Sequence, residues 1–412
     1  MKTKNKNILV PMLLIGAMYG VLGFALGINA FFIPFVQEAF QISTAMSYLV
    51  MTATFSAFLV FGAFSGGILK KAGYKGGMIL AFVLMAIGFF IIAPAARSIS
   101  FPMLLLALFI SGLGQALLTG AVNTYVSIIG PADSAASRIA LMGICNKTFY
   151  AIASLSLAMF MDLNNVRIED TILPFYIITG ILLVMGFLYY FAPLPDIKVA
   201  GEDSRDEPGN VEDDLYSTSK TSIFQFPHLI LGVIAIFFVV GVEHLTLGSI
   251  NDYATILNLP SPENYVWLVS IAMIIGYLLG VFFIPGLVSQ RQALLISTIA
   301  GILITVAILL VPVKFSIYLV GLLGLANAML WPAVWPLAIA DLGKFTKVGS
   351  SLLVAGIIGG AILPLIFGFV AERSSYQVAY LVYLPAYVYI IYYALTGSKI
   401  RTKVIKTVKS NG

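Results

Sequence analysis

The sequence has little of what soluble enzymes work with. Charged residues make up 10% of the 412 positions, where a soluble domain carries about a quarter. There is one cysteine, Cys145, and there are two histidines, His228 and His244. A single cysteine excludes an intramolecular disulfide and leaves the redox compartment open. One cysteine and two histidines are too few for a zinc site, and neither HExxH nor a glycine-lysine phosphate loop occurs. The cluster of acids or histidines that a membrane enzyme needs is missing as well. The expectation is therefore a protein that is not an enzyme and that uses no metal and no organic cofactor. The net charge of +5 does not suggest nucleic acid. In a chain with so few polar loops it reflects where the lysines stand relative to a membrane.

What the sequence does have is apolar length. Hydrophobic residues make up 60%, the mean hydropathy is +1.00, and runs long enough to cross a bilayer recur along nearly the whole chain. Twelve spans are expected, at about 9–36, 44–69, 77–96, 102–129, 138–160, 172–192, 227–251, 264–288, 292–312, 315–340, 348–371 and 376–397. The basic opening "MKTKNKNILVPMLLIGAMYG" leads into a first permanent helix, because the apolar run continues to about Val36. A cleaved signal core is only roughly 7–15 residues long. Small-residue clusters such as "GAFSGG" (62–67) and "GIIGGA" (356–361) let helix backbones approach closely.

Charge gives the orientation. With the N-terminus in the cytoplasm, 18 of the 23 lysines and arginines fall on that side, four fall opposite, and Lys147 lies inside a span. The positive-inside rule then predicts a multi-pass protein of the cell (inner) membrane with both termini cytoplasmic. Residues 193–225 break the pattern: eight acids and almost no large apolar cluster predict a flexible cytoplasmic linker. The expected organisation is a six-helix half over 1–192, the acidic linker over 193–225, a second six-helix half over 226–397 and a basic tail over 398–412. The chain is expected to be a monomer surrounded by lipid.

The halves resemble each other. "IIGPADSAASRIALMGICN" (128–146) and "IADLGKFTKVGSSLLVAGIIG" (339–359) each run from a glycine through a polar loop into a glycine-containing helix. An offset of 213 sets Gly130 over Gly343 and Gly143 over Gly356. In the first span of each half that offset sets Ala30 over Glu243. A slip of one sets Gly27 over Gly241 and Asn29 over Glu243, and the sequence leaves both registers open. Two such halves around a midplane site is the architecture of alternating-access carriers.

Few residues inside the spans carry charge. Lys147 lies about nine residues into the fifth span, and Glu243 lies well inside the seventh beside His244. Charges at that depth face a cavity or one another. Glu243 is thus the candidate proton carrier if it is unpaired, and Lys147 either pairs with it or meets the substrate. Adjacent helical residues are about 100° apart, so one of Glu243 and His244 is expected to face the cavity squarely. Amides at Asn29, Gln115, Asn123, Asn146 and Asn327 offer donors and acceptors without net charge, which suits a polyhydroxylated ligand. Their alternative role is interhelical hydrogen bonding. Among the aromatics, Phe31, Phe32, Trp267, Trp331 and Trp335 either stack on a sugar face or pack against lipid. Trp331 and Trp335 share a face of a helix expected to break at Pro332 and Pro336.

"GGILKKAGYKGG" (66–77) resembles the inter-helix signature of the major facilitator superfamily at Gly66, Lys71, Gly73 and Lys75. Lys70 stands where most members carry Asp, as in the fucose–glucose–galactose permease branch. "NAFFIPFVQEAF" (29–40), "GLGQALLTGAVNTYVSIIGP" (112–131), "FFVVGVEHLTLGSINDY" (237–253) and "NAMLWPAVWPLAIADLGKFTKVGSSLLVAGIIGGAILP" (327–364) resemble that branch specifically. The resemblance implies a twelve-helix major facilitator fold and hexose uptake (glucose-, galactose- or fucose-like) driven by a proton gradient. It also implies an acid in the first span and another in the fourth. Those positions are Ala30 and Thr119 here, so either Glu243 has taken the coupling role, or the protein is a facilitator, or a different ion such as sodium drives it. The substrate-binding set expected is Asn29, Gln115, Asn123, Asn146, Lys147, Glu243, His244, Asn327 and Trp331. An uncoupled facilitator, a carrier of amino or cell-wall sugars, and a non-transporting sugar sensor are the alternatives.

Overall fold

The computed structural model describes residues 9–42, 44–161, 166–194, 217, 220–260, 264–284 and 286–401. The linker expected over 193–225 and the tail expected over 398–412 lie mostly outside the described residues, and so does the side chain of Ala30.

The apolar runs fold as helices because a backbone in hydrocarbon must satisfy its polar groups within the segment. In chain order α1 is Leu9–Phe40, and α2 and α3 are the two arms (49–72 and 74–97) of Leu49–Arg97. Next come α4 (Phe101–Ile128), α5 (Ala135–Ala158), α6 (Ile172–Phe191), α7 (Pro227–Ile256), α8 (Val266–Phe283) and α9 (Gln290–Leu310). Three further helices are interrupted: α10 (Val313–Asn327 and Leu330–Ile339), α11 (Thr346–Gly356 and Gly359–Arg373) and α12 (Tyr376–Ala379 and Tyr383–Leu395). Among the described residues, eleven helical stretches are long and apolar enough to cross a membrane, and the shorter apolar helix Leu49–Gly62 leads into the second of them. The fold is the expected all-α bundle of twelve crossings.

Local signals fix several joints. Gly73 turns α2 into α3 with φ 70°, a conformation that a side chain resists. Ser289 and Gln292 form a reciprocal capping box at the start of α9. Arg138 donates to the carbonyls of Val126, Ser127 and Pro131 at 2.9 Å each, so its charge sits at the carbonyl end of α4, where a cation is favoured. Large side chains such as Phe187, Leu188 and Phe191 on α6 and Leu303 and Leu310 on α9 point outward, as lipid contact requires.

Helices α1–α6 pack together, α7–α12 pack together, and the halves meet along two seams, α2 against α11 and α5 against α8. The repeat register follows from the close approaches. A Cβ on Gly23 of α1 would stand 1.9 Å from the Asn146 carbonyl oxygen of α5, and one on Gly27 would stand 2.3 Å from that of Tyr150. In the second half, a Cβ on Gly359 of α11 would stand 1.8 Å from the Phe237 oxygen of α7, and one on Gly241 would stand 2.6 Å from Leu363. Gly23 and Gly27 therefore correspond to Phe237 and Gly241, and Asn146 and Tyr150 to Gly359 and Leu363. The offset is 214 in the first helix of each half and 213 in the fifth, so Glu243 occupies the position of Asn29.

Candidate functional site

A cavity lies between the halves. The first half contributes Tyr19, Leu22 and Leu26 from α1, Phe55 and Phe58 from α2, Thr119 and Asn123 from α4, and Ile139, Gly143, Asn146 and Lys147 from α5. The second contributes Val240, Glu243 and His244 from α7, Tyr277 from α8, Trp331 and Pro332 from α10, and Ile357 from α11. Glu243 is the seventeenth residue of the 30-residue α7, with ~20 Å or more of helix on either side. The site is therefore midway through the bundle.

Lys147 Nζ lies 2.5 Å from Glu243 Oε1, and both side chains are more than nine-tenths buried. The ion pair joins α5 of one half to α7 of the other and leaves the wall without net charge. Beside it, the Asn123 Oδ1 accepts from the Tyr19 hydroxyl at 2.6 Å and from the Trp331 indole at 2.9 Å. Its Nδ2 donates to the Thr119 carbonyl at 2.9 Å. Because an indole N–H can only donate, the orientation of this amide is fixed. Asn146 Nδ2 donates to the Tyr19 carbonyl at 3.1 Å, which fixes the second amide in the same way.

Two of the three interrupted helices reach this space, α10 with Trp331 and Pro332 and α11 with Ile357. Helix α10 is interrupted at Ala328 and Met329, immediately before Trp331, and Pro336 lies within its second piece. The sequence predicted the break at Pro332 and Pro336; it falls earlier because proline at the first turn of a helix has no hydrogen bond to lose. Helix α11 is interrupted at Ile357, between Gly356 and Gly359. Ala328, Met329, Ile357 and Ile358 keep right-handed helical backbone angles, so each interruption is a loosened turn and not an unwound stretch.

Contacts between the halves lie toward both ends. On the side away from the termini, the Tyr48 hydroxyl donates to Asp252 Oδ2 at 2.5 Å. On the side of the termini, Thr124 meets Ser350 at 2.6 Å, Ser65 meets Ser351 at 3.0 Å, and Gln290 donates to the Ala132 carbonyl at 2.9 Å.

Of the residues expected to bind substrate, Asn123, Asn146, Lys147, Glu243, His244 and Trp331 share the cavity wall. Three lie off it. Asn29 Oδ1 accepts from Thr54 at 3.2 Å, and Gln115 donates to Ser111 one turn away at 3.2 Å. Asn327 is held by Tyr387 at 2.6 Å and Thr246 at 3.0 Å. Glu243 and His244 both reach the cavity, where one was expected to face it. The space wraps around α7, with Lys147 of α5 against one residue and the Phe55 ring, 4.8 Å from the imidazole, against the other. Phe31, Phe32 and Trp335 are buried in helix packing, and Trp267 is half-buried away from the wall. Tyr19, Phe55, Phe58 and Tyr277 were not foreseen. Tyr19 had a usable signal: it stands one turn before Gly23 and two before Gly27, on the face that meets α5.

The family model described as Major Facilitator Superfamily matches residues 15–351. The chain is 29% identical over 398 residues to a protein named glucose/galactose transporter from Brucella abortus, covering 92% of this chain and 91% of that one. It is 24% identical over 404 residues to the L-fucose-proton symporter of Escherichia coli, covering 90% and 89%. Its fold is similar to the crystal structure of the transporter FucP in the outward conformation, with a TM-score of 0.76 at 22% identity over 94% of this chain and 98% of that one.

Proposed function

The chain belongs to the Major Facilitator Superfamily, a family of membrane transporters rather than enzymes, and from that premise we propose that it is a secondary sugar transporter. Its substrate is a neutral hexose of the glucose, galactose or fucose kind, the sugars in the names of the similar proteins. The observation that carries this reading is the neutral, aromatic-walled cavity between the halves. Lys147 spends its charge on Glu243, which leaves no cation for an acidic sugar. Asn123, Asn146 and His244 supply directional hydrogen bonds, and Phe55, Tyr277 and Trp331 supply faces for the C–H side of a pyranose.

Transport follows from alternating access. The Tyr48–Asp252 contact and the Thr124–Ser350 and Ser65–Ser351 contacts break in turn as the halves rock around the site. Sugar favours the state in which both sets are closed, because a ligand shifts only equilibria for which it has differential affinity. Glu243 is the one acid in the wall among the described residues. When rocking separates α5 from α7, a proton replaces Lys147 as the partner of Glu243, and uptake is coupled to the proton gradient. The tightness of the pair favours a second reading, an uncoupled facilitator in which Glu243 stays ionised throughout. The protein acts as a monomer in the inner membrane with both termini cytoplasmic, an orientation that the lysine and arginine bias supports.

Hexose counterflow and pH-driven accumulation in proteoliposomes test all of this. Accumulation lost in Glu243→Gln with counterflow retained supports proton symport. Accumulation absent in the wild type, with counterflow present, gives the facilitator. Failure of every neutral hexose to exchange overturns the sugar reading.

A further inference from the structure

His244 carries an atom that the protein leaves without a partner. The side chain is 8% exposed and lies in the cavity wall. Its Nδ1 lies 3.0 Å from the Val240 carbonyl oxygen one turn earlier. A carbonyl oxygen only accepts, so Nδ1 carries the hydrogen in that bond. Glu243 is already neutralised by Lys147, which leaves no counter-charge to stabilise an imidazolium. The ring is then the neutral tautomer, and Nε2 presents a bare lone pair. Nε2 is buried and has no hydrogen-bond partner. The Phe55 ring meets the imidazole edge-on at 4.8 Å, fixing its plane. Buried polar atoms are nearly always paired, so an oriented acceptor in a cavity wall is a site for a donor.

Two more acceptor atoms stand in the same wall. Among the described residues, neither Asn146 Oδ1 nor the second carboxylate oxygen of Glu243 takes a hydrogen bond. Two donors of the wall, the Trp331 indole and the Tyr19 hydroxyl, are spent on Asn123, while the Thr119 and Tyr277 hydroxyls stay available for the acceptor side of a sugar. We infer that His244 is a specificity-determining acceptor: Nε2 takes a hydroxyl hydrogen from the transported sugar, so that the sugar is selected as a donor at that position. The inference rests on the sugar reading above and adds the sense of the hydrogen bond and the atom that makes it.

Monodeoxyfluoro hexoses test it, because fluorine keeps the size and weak accepting power of a hydroxyl but cannot donate. Affinity is measured for the parent hexose and for the fluoro analogue of each hydroxyl, with purified wild type, His244→Phe and His244→Gln. In the wild type one fluoro position is expected to cost about tenfold or more in affinity. In His244→Phe that penalty should vanish while the parent itself binds more weakly, and His244→Gln, which returns an acceptor oxygen, should restore part of it. The wild-type profile does not depend on any variant folding: no penalty at any position overturns the inference. An identical penalty profile in His244→Phe overturns it too. Failure of the wild type to bind any hexose overturns the sugar reading and this inference together, whereas hexose binding with an unchanged profile overturns this inference alone.

Discussion

Removing either member of the Lys147–Glu243 pair should be worse than removing both. The two charges lie 2.5 Å apart with side chains 3% and 8% exposed, so each depends on the other. Deleting one leaves an uncompensated buried charge, at a cost of about 3–5 kcal/mol. Deleting both removes the attraction and the desolvation penalty together, which is often close to neutral. An unfolding entropy of roughly 2 cal/mol/K per residue, applied to a chain of this length, converts that cost to a fall of ~3–6 °C in thermal midpoint. Glu243→Gln and Lys147→Met should each show it in detergent, and Lys147→Met/Glu243→Gln should return to within about 1–2 °C of the wild type. The coupling energy of the cycle is the measured quantity. Additive losses in the double variant would refute the reasoning, because they would mean that the two residues do not meet in the folded protein.

Other perturbations separate packing from gating. Gly23→Ala and Gly359→Ala put a Cβ within 1.9 Å and 1.8 Å of a carbonyl oxygen, so α1 must move off α5, or α11 off α7, and a fall in thermal midpoint is expected. Gly67→Ala, with nothing within 4 Å, should be neutral or gain up to about 1 kcal/mol from helix propensity. Tyr48→Phe removes the hydroxyl that reaches Asp252 and should favour opening on the side away from the termini. The rate at which a membrane-impermeant thiol reagent labels Leu26→Cys, in a Cys145→Ser background, reads this out and should rise from that side. Thr124→Val, which breaks the contact with Ser350, should raise labelling from the opposite side. Equal labelling in both variants would separate these contacts from the conformational equilibrium.

The bundle was legible because its signal is apolar length, and length survives any uncertainty about helix ends. The wall residues were less so. Lys147 and Glu243 stood out because a charge in an apolar span must find a cavity or a counter-charge, and here they do both. Amides carry no such obligation: Asn29 and Asn327 bond to neighbouring helices, and nothing in their spacing separates them from Asn123. Phe55 and Tyr277 were hidden because aromatics are common in spans whichever way they face. The repeat register shows what contact adds to pattern. With Asn29 and Glu243 in equivalent positions, the first half holds an amide bonded to its own neighbour Thr54, and the second holds a carboxylate bonded to the other half. The position corresponding to Lys147 is Gly360, which packs against Phe55. The Lys147–Glu243 pair means that rocking the halves meets an electrostatic cost between α5 and α7, beside the cavity, where a sugar or a proton can act on it.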